Sequence, residues 1–164
     1  DIEKALTQQF AVNAPDAKRI ARASNGNMAQ AIRTVTNNAE SQYYFELFVE
    51  LMRLAYVRKV KEMKLWSEKV AGMGREKMKA FLEYSQRMIR ENFIYNFHRQ
   101  DELNYMSEEE AQFATKFAPF INERNVIGIM DELSLAQRDI AQNTAAKIVF
   151  FDFALKMIVL IKNR

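Results

Sequence analysis

Tyr44, Leu47, Phe48, Leu51, Met52 and Ala55 fall at the i, i+3, i+4, i+7 spacing of an amphipathic helix, and this periodicity constrains the chain most. Little interrupts such segments: only 4 Gly and 2 Pro punctuate 164 residues. That is sparse punctuation for hairpins and favours helix. No segment alternates apolar and polar residues as a half-buried strand would. The expectation is an all-α protein, with a small helical appendage followed by a bundle of about five longer helices. A chain this long can bury roughly two thirds of its unfolded surface, enough for one domain's core.

The spacing predicts a short helix over 2–10, with Ile2, Leu6 and Phe10 on one face. Asn13 and Pro15 open a second, whose stripe is Ala17, Ile20 and Ala21. Gly26 breaks it, and a third runs from about 27 to 37. The polar run TNNAES at 36–41 is expected to separate these from the long helices, giving domains at 1–38 and 41–164. The stretch KEMKLWSEKVAGMGREK at 61–77 reads as a break, where Gly72 and Gly74 can adopt left-handed conformations. The next helix carries Met78, Phe81, Leu82, Met88, Ile89 and Phe93. In SEEEAQF, Ser107 and Glu110 have the spacing of a capping box. Val126, Ile129, Met130, Leu133 and Ile140 point inward from another helix.

The last helix, within NTAAKIVFFDFALKMIVLIKN, is apolar almost all round. Such a helix is normally surrounded by other helices or by a partner subunit. Asp152 and Lys156 interrupt its most apolar window, which is shorter than the ~20 residues that span a bilayer. No membrane association is expected.

Composition excludes several chemistries. With His98 as its one histidine and no cysteine, the chain cannot build the usual zinc site or a disulfide framework. No metal is therefore expected, and the missing cysteines suit a reducing, cytoplasmic location. The carboxylates in SEEE and MDEL are sequence neighbours about 100° apart on a helix, so they form no acid/base pair. GMGREK lacks the spacing and the Ser or Thr of a phosphate loop. Neither cofactor nor small-molecule ligand is expected, and no enzyme activity of the chain itself. A net charge of +3 does not imply nucleic-acid binding. Arg53, Arg58, Lys59, Lys61 and Lys64 lie close together near aromatics. They are spread around the helix, with Arg53, Val57, Val60 and Lys64 on one stripe, and read as a solvated face. A nucleic-acid-binding module using the Arg53–Lys64 face is the alternative. The chain opens at Asp1 with DIEKALTQQF, not a basic then apolar run, so a piece of a longer protein without a secretory signal is expected.

Two stretches carry a resemblance. APDAKRIARASNGNMAQAIRTV resembles the end of the lid domain of AAA+ clamp-loader subunits. ATP-binding members carry an arginine three residues after the glycine, where this chain has Ala29. Downstream, LSLAQRDIAQNTAAKIVFFDFALKMIVL resembles the end of the clamp-loader collar, with Asn143, Ala146, Lys147, Ile148 and Leu155 at the matching positions. KFAPFINERNV is similar to the delta-prime subunits of bacterial DNA polymerase III. With Ala29 at the sensing position, the resemblance implies the delta-prime type, a stator that binds no ATP, over the gamma/tau-type ATPase. It implies a lid end over 1–38 and a collar over 41–164 that holds the loader ring together for sliding-clamp loading in DNA replication. Gamma/tau and delta subunits would be the partners, DNA being reached only through the complex, a polymerase holoenzyme with nucleotidyltransferase activity. Interface residues are sought among the exposed residues of the helices at 43–54 and 148–161, with Tyr44, Phe48, Leu51, Phe150, Phe153, Met157 and Leu160 as candidates.

Overall fold

The structure, a computed structural model, describes residues 28–96 and 106–162, with side chains from residue 39 onward. All regular structure among these residues is helical. The described residues form six α-helices: α1 (Met28–Val57), α2 (Val60–Ala71), α3 (Arg75–Tyr95), α4 (Glu108–Phe117), α5 (Val126–Ala141) and α6 (Ala146–Lys162). A 3-10 turn, Ala118–Phe120, follows α4. The chain divides into two compact units, 1–43 and 44–164. Within the second, α2 packs on α6, α3 on α5, and α5 on α6. The helices expected over 2–10 and from Asn13 to Gly26, and His98, lie outside the described residues.

The polar run at 36–41 does not end a helix, because α1 continues through it. Thr, Asn and Ser each cost less than about 0.7 kcal/mol in a helix, and neither Gly nor Pro is present to stop it. Instead α1 ends at Val57, where Arg58 adopts φ 59° and the Lys59 N–H donates to the Leu54 carbonyl at 3.1 Å. This is the six-to-one hydrogen bond of a Schellman ending, with a non-glycine at the left-handed position.

Most of the expected break at 61–77 is the helix α2, which buries Met63, Trp66, Ser67 and Val70. The interruption is confined to Gly72–Gly74. Gly74 takes φ 93°, a conformation side chains rarely adopt, whereas Gly72 is right-handed at φ −75°. Trp66 sits at the centre of the core. Its ring lies 6.0 Å from Phe81 on α3 and 6.1 Å from Phe150 on α6, edge-on to both. Its indole N–H donates to the Leu47 carbonyl of α1 at 3.0 Å. One side chain thus ties four helices together and satisfies its only polar atom.

The expected capping box opens α4. The Glu110 N–H donates to Ser107 Oγ at 3.2 Å, and Glu110 Oε1 accepts the Ser107 N–H at 2.9 Å. Phe113 and Phe117 of α4 then pack edge-on against Phe48. At the start of α5, the buried Asn125 amide donates to the carbonyls of Phe120 and Leu160, which fixes that end of α5 to the end of α6. Between α5 and α6, Asn143 takes φ 60° and the Thr144 N–H donates to the Asp139 carbonyl at 3.0 Å. This is a second Schellman ending, on a residue type that tolerates it.

Candidate functional site

Helix α6 buries Val149, Phe150, Phe153, Ala154, Met157 and Ile161 against the rest of the unit. Its opposite side is also apolar. Ile148 is 68% exposed and Val159 61% exposed. Phe151 and Leu155 between them are half-buried. Residues 148, 151, 155 and 159 recur at i, i+3, i+7 and i+11, so at 3.6 residues per turn they share an arc of about 80°. An apolar stripe left outward on a structured helix marks an interaction surface more than a scattered apolar residue does. Along one edge, the exposed Lys156 ammonium bridges Asp152 at 2.9 Å and Glu132 of α5 at 3.2 Å. Hydrogen bonds to Asp152 and then Glu132 hold that ammonium above the usual lysine range.

The candidate interface residues divide sharply from this stripe. Tyr44, Phe48, Leu51, Phe150, Phe153 and Met157 are all buried in the chain's own core. A side chain without exposed surface offers nothing to a partner while that core is intact. Leu160 is half-buried, and its Cδ2 would lie 2.8 Å from a Cβ placed on Gly128, so it fills the gap that this glycine leaves. Ala29 lies in α1. The outward positions Ile148, Phe151, Leu155 and Val159 lie on the helix where an interface is sought but are not among the seven named candidates, because a helix apolar on all sides gives its periodicity no phase.

The supposed basic stripe of Arg53, Val57, Val60 and Lys64 does not exist as one helical face. The helix ends at Val57 and another begins at Val60, with Arg58 in the left-handed region between them. These cations therefore belong to two helices.

One cluster of titratable groups is internal. Tyr84 and Arg87 of α3 converge on Glu110 Oε2, at 2.5 and 3.0 Å, and Arg87 also meets Glu91 at 3.1 Å. Burial, then the Glu110 carboxylate, pushes the Tyr84 phenol far above its ordinary range, so it stays protonated and donates to Glu110. Burial works against the Arg87 charge, but Glu110 and Glu91 outweigh it and raise its pKa. Burial also raises Glu91, against the pull of Arg87. Tyr84 and Arg87 hold α3 to Glu110 of α4, and Glu91 pairs with Arg87 within α3, which are structural roles. Among the described residues, no group of three His, Cys, Asp or Glu could hold a metal ion, and no helix is long and apolar enough to cross a membrane. No protein-family model matches the chain, and no curated protein or solved structure matches it significantly.

Proposed function

We propose that this chain is the C-terminal part of a clamp-loader subunit of the delta-prime type, acting by assembly and not by catalysis. On this reading residues 1–38 are the end of an AAA+ lid with Ala29 at the nucleotide-sensing position, and 41–164 the collar. The collar helices hold the subunit against its gamma/tau and delta neighbours in the cytoplasm, so that ATP binding elsewhere in the ring can open the sliding clamp for replication. The chain itself binds no nucleotide, and DNA is met through the complex.

The observation that carries the reading is the apolar stripe Ile148–Phe151–Leu155–Val159, outward on the very helix whose sequence resembles the family's final collar helix. Collar assembly needs a surface of this kind, because stable subunit interfaces draw on buried apolar and aromatic area of more than about 1,000 Å². The decisive experiment is capture of the chain by separately purified gamma/tau and delta subunits over a range of salt. Salt-tolerant capture by either is expected, with loss of capture when Ile148→Glu and Val159→Glu are combined. Both positions are exposed, so the fold should survive the change. No capture by either subunit, together with salt-sensitive retention on DNA, would move the assignment to a nucleic-acid module.

A further inference from the structure

A second surface lies elsewhere on the unit. A groove of about 550 Å³ opens between the last turns of α1, the second half of α4 with its 3-10 turn, and the end of α6. Its apolar lining is Met52, Phe117 and Ile161, which are buried, Leu54 and Phe113, which are half-buried, and the exposed Val57. Tyr56, 59% exposed, stands over one side with its ring edge-on to Phe120 at 5.5 Å. The left-handed Arg58 ends α1 there, and Lys59 lines the groove directly after the turn. Arg53 and Lys116 line it as well, and all three cations are exposed. No carboxylate lines it, and none of the three cations forms an ion pair among the described residues.

We infer that this groove docks a short acidic segment of a partner protein, anchored by one or two large apolar side chains. The apolar lining takes the anchor, and Arg53, Lys59 and Lys116 take flanking Asp or Glu carboxylates. The charge is one-sided and uncompensated, so it selects an anionic partner. The ring arrangement favours a protein segment over single-stranded nucleic acid, because Tyr56 is the one exposed ring among the four that line the groove. Bases need open ring faces to stack on. Phe117 is buried, and its faces are occupied by Phe113, stacked at 4.8 Å, and Phe120, nearly parallel at 6.3 Å. What remains is an apolar trough with a cationic rim, which suits an amphipathic segment laid into it. Five of the lining residues come from the last turns of α1 and three from α4, so occupancy would also brace those helices together.

The test uses the whole chain and a fluorescent synthetic peptide about 12 residues long, with Leu at i, i+3, i+4 and i+7 and Glu elsewhere. Its Lys-for-Glu counterpart and oligothymidylate are run beside it. The acidic peptide should bind. Arg53→Glu and Lys116→Glu should each weaken it about tenfold, the worth of one charge-assisted hydrogen bond. Tyr56→Ala should weaken it too, while Ile148→Glu on the α6 stripe should leave it unchanged. This last variant separates the groove from the subunit-capture face. Circular dichroism confirms that each variant keeps its helices, and any variant that keeps them decides. Equal binding of the Lys peptide, or acidic-peptide binding that survives all three groove variants, overturns the inference. So does binding of oligothymidylate alone that the same variants abolish.

Discussion

Tyr84 donates a 2.5 Å hydrogen bond to Glu110 across 26 residues of sequence, and Glu110 is also the glutamate of the α4 capping box. One oxygen of that carboxylate closes the start of α4 on the Ser107 N–H, and the other receives Tyr84 and Arg87 from α3. Local helix initiation and tertiary docking thus share one side chain. Tyr84→Phe keeps the ring contacts with Tyr44 and Phe48 and removes only the hydroxyl. It should destabilise the chain by about 1.5 to 3 kcal/mol, the range for a hydrogen bond to a charged group. Urea unfolding with an unchanged slope would read this directly. A shift near zero would mean that Arg87 alone satisfies Glu110.

The same cluster sets two pH limbs with one origin, burial, and one sign, in two different pH windows. The Tyr84 phenol is raised in the fold, by burial first and Glu110 second. Its stabilisation is complete below the unfolded-state value near ~10 and is lost as pH rises past it. Stability should therefore fall above about pH 10, and Tyr84→Phe should flatten that fall. Glu91 is also raised, mainly by burial. Between its unfolded value near ~4.3 and its higher folded value, the folded state binds more protons. Its contribution therefore strengthens as pH drops through that window, and Glu91→Gln should remove this acid-side gain. Stability curves for both variants across pH, each against the unsubstituted chain, check the two windows separately.

Some of this architecture is legible in the sequence because its causes are local. The Ser107–Glu110 box needs only two residues three apart, and α6 needs only its continuous apolar run. Helix α2 is hidden for the opposite reason. It has Met63, Trp66 and Val70 at i, i+3 and i+7 amid Lys and Glu, and it sits next to two glycines. Trp66 earns its central place through contacts with Leu47, Phe81 and Phe150, none of which sequence spacing reveals. The outward apolar stripe of α6 is hidden by symmetry. With Phe153 as apolar as Leu155, only packing of α6 on α2 and α5 decides which faces inward. The groove is assembled from α1, α4 and α6, so no single segment carries its signature.

The two glycines between α2 and α3 should respond in opposite directions to alanine. Gly74 holds φ 93° and ψ 158°, and nothing lies within 4 Å of an added Cβ. Its cost is therefore backbone strain alone, and Gly74→Ala should destabilise by about 1 to 3 kcal/mol. Gly72 is right-handed, and an added Cβ would make ordinary 3.5 Å contacts with the carbonyls of Glu68 and Lys69. Gly72→Ala should stabilise by about 0.4 to 1 kcal/mol, because the unfolded chain loses freedom and the fold loses nothing. Thermal unfolding of the pair side by side gives the comparison, and equal shifts of the same sign would refute the assignment of strain to Gly74.

Arg58 supplies the complementary case, a side chain where glycine belongs. Its φ of 59° ends α1 through the Lys59-to-Leu54 hydrogen bond. A non-glycine residue costs roughly 1 to 2 kcal/mol in this region, whereas glycine adopts it freely and loses about 0.5 to 1 kcal/mol to its greater unfolded-state freedom. The balance favours glycine, so Arg58→Gly should stabilise the chain by up to about 1 kcal/mol, read as a higher urea midpoint at constant slope. Arg58 is exposed and lines no part of the groove, so acidic-peptide binding should be unaffected. Asn143 occupies the equivalent position after α5 at φ 60°, but asparagine already tolerates that region, and Asn143→Gly should gain less. A larger gain at 143 than at 58 would show that local hydrogen bonding, and not side-chain sterics, governs these two helix endings.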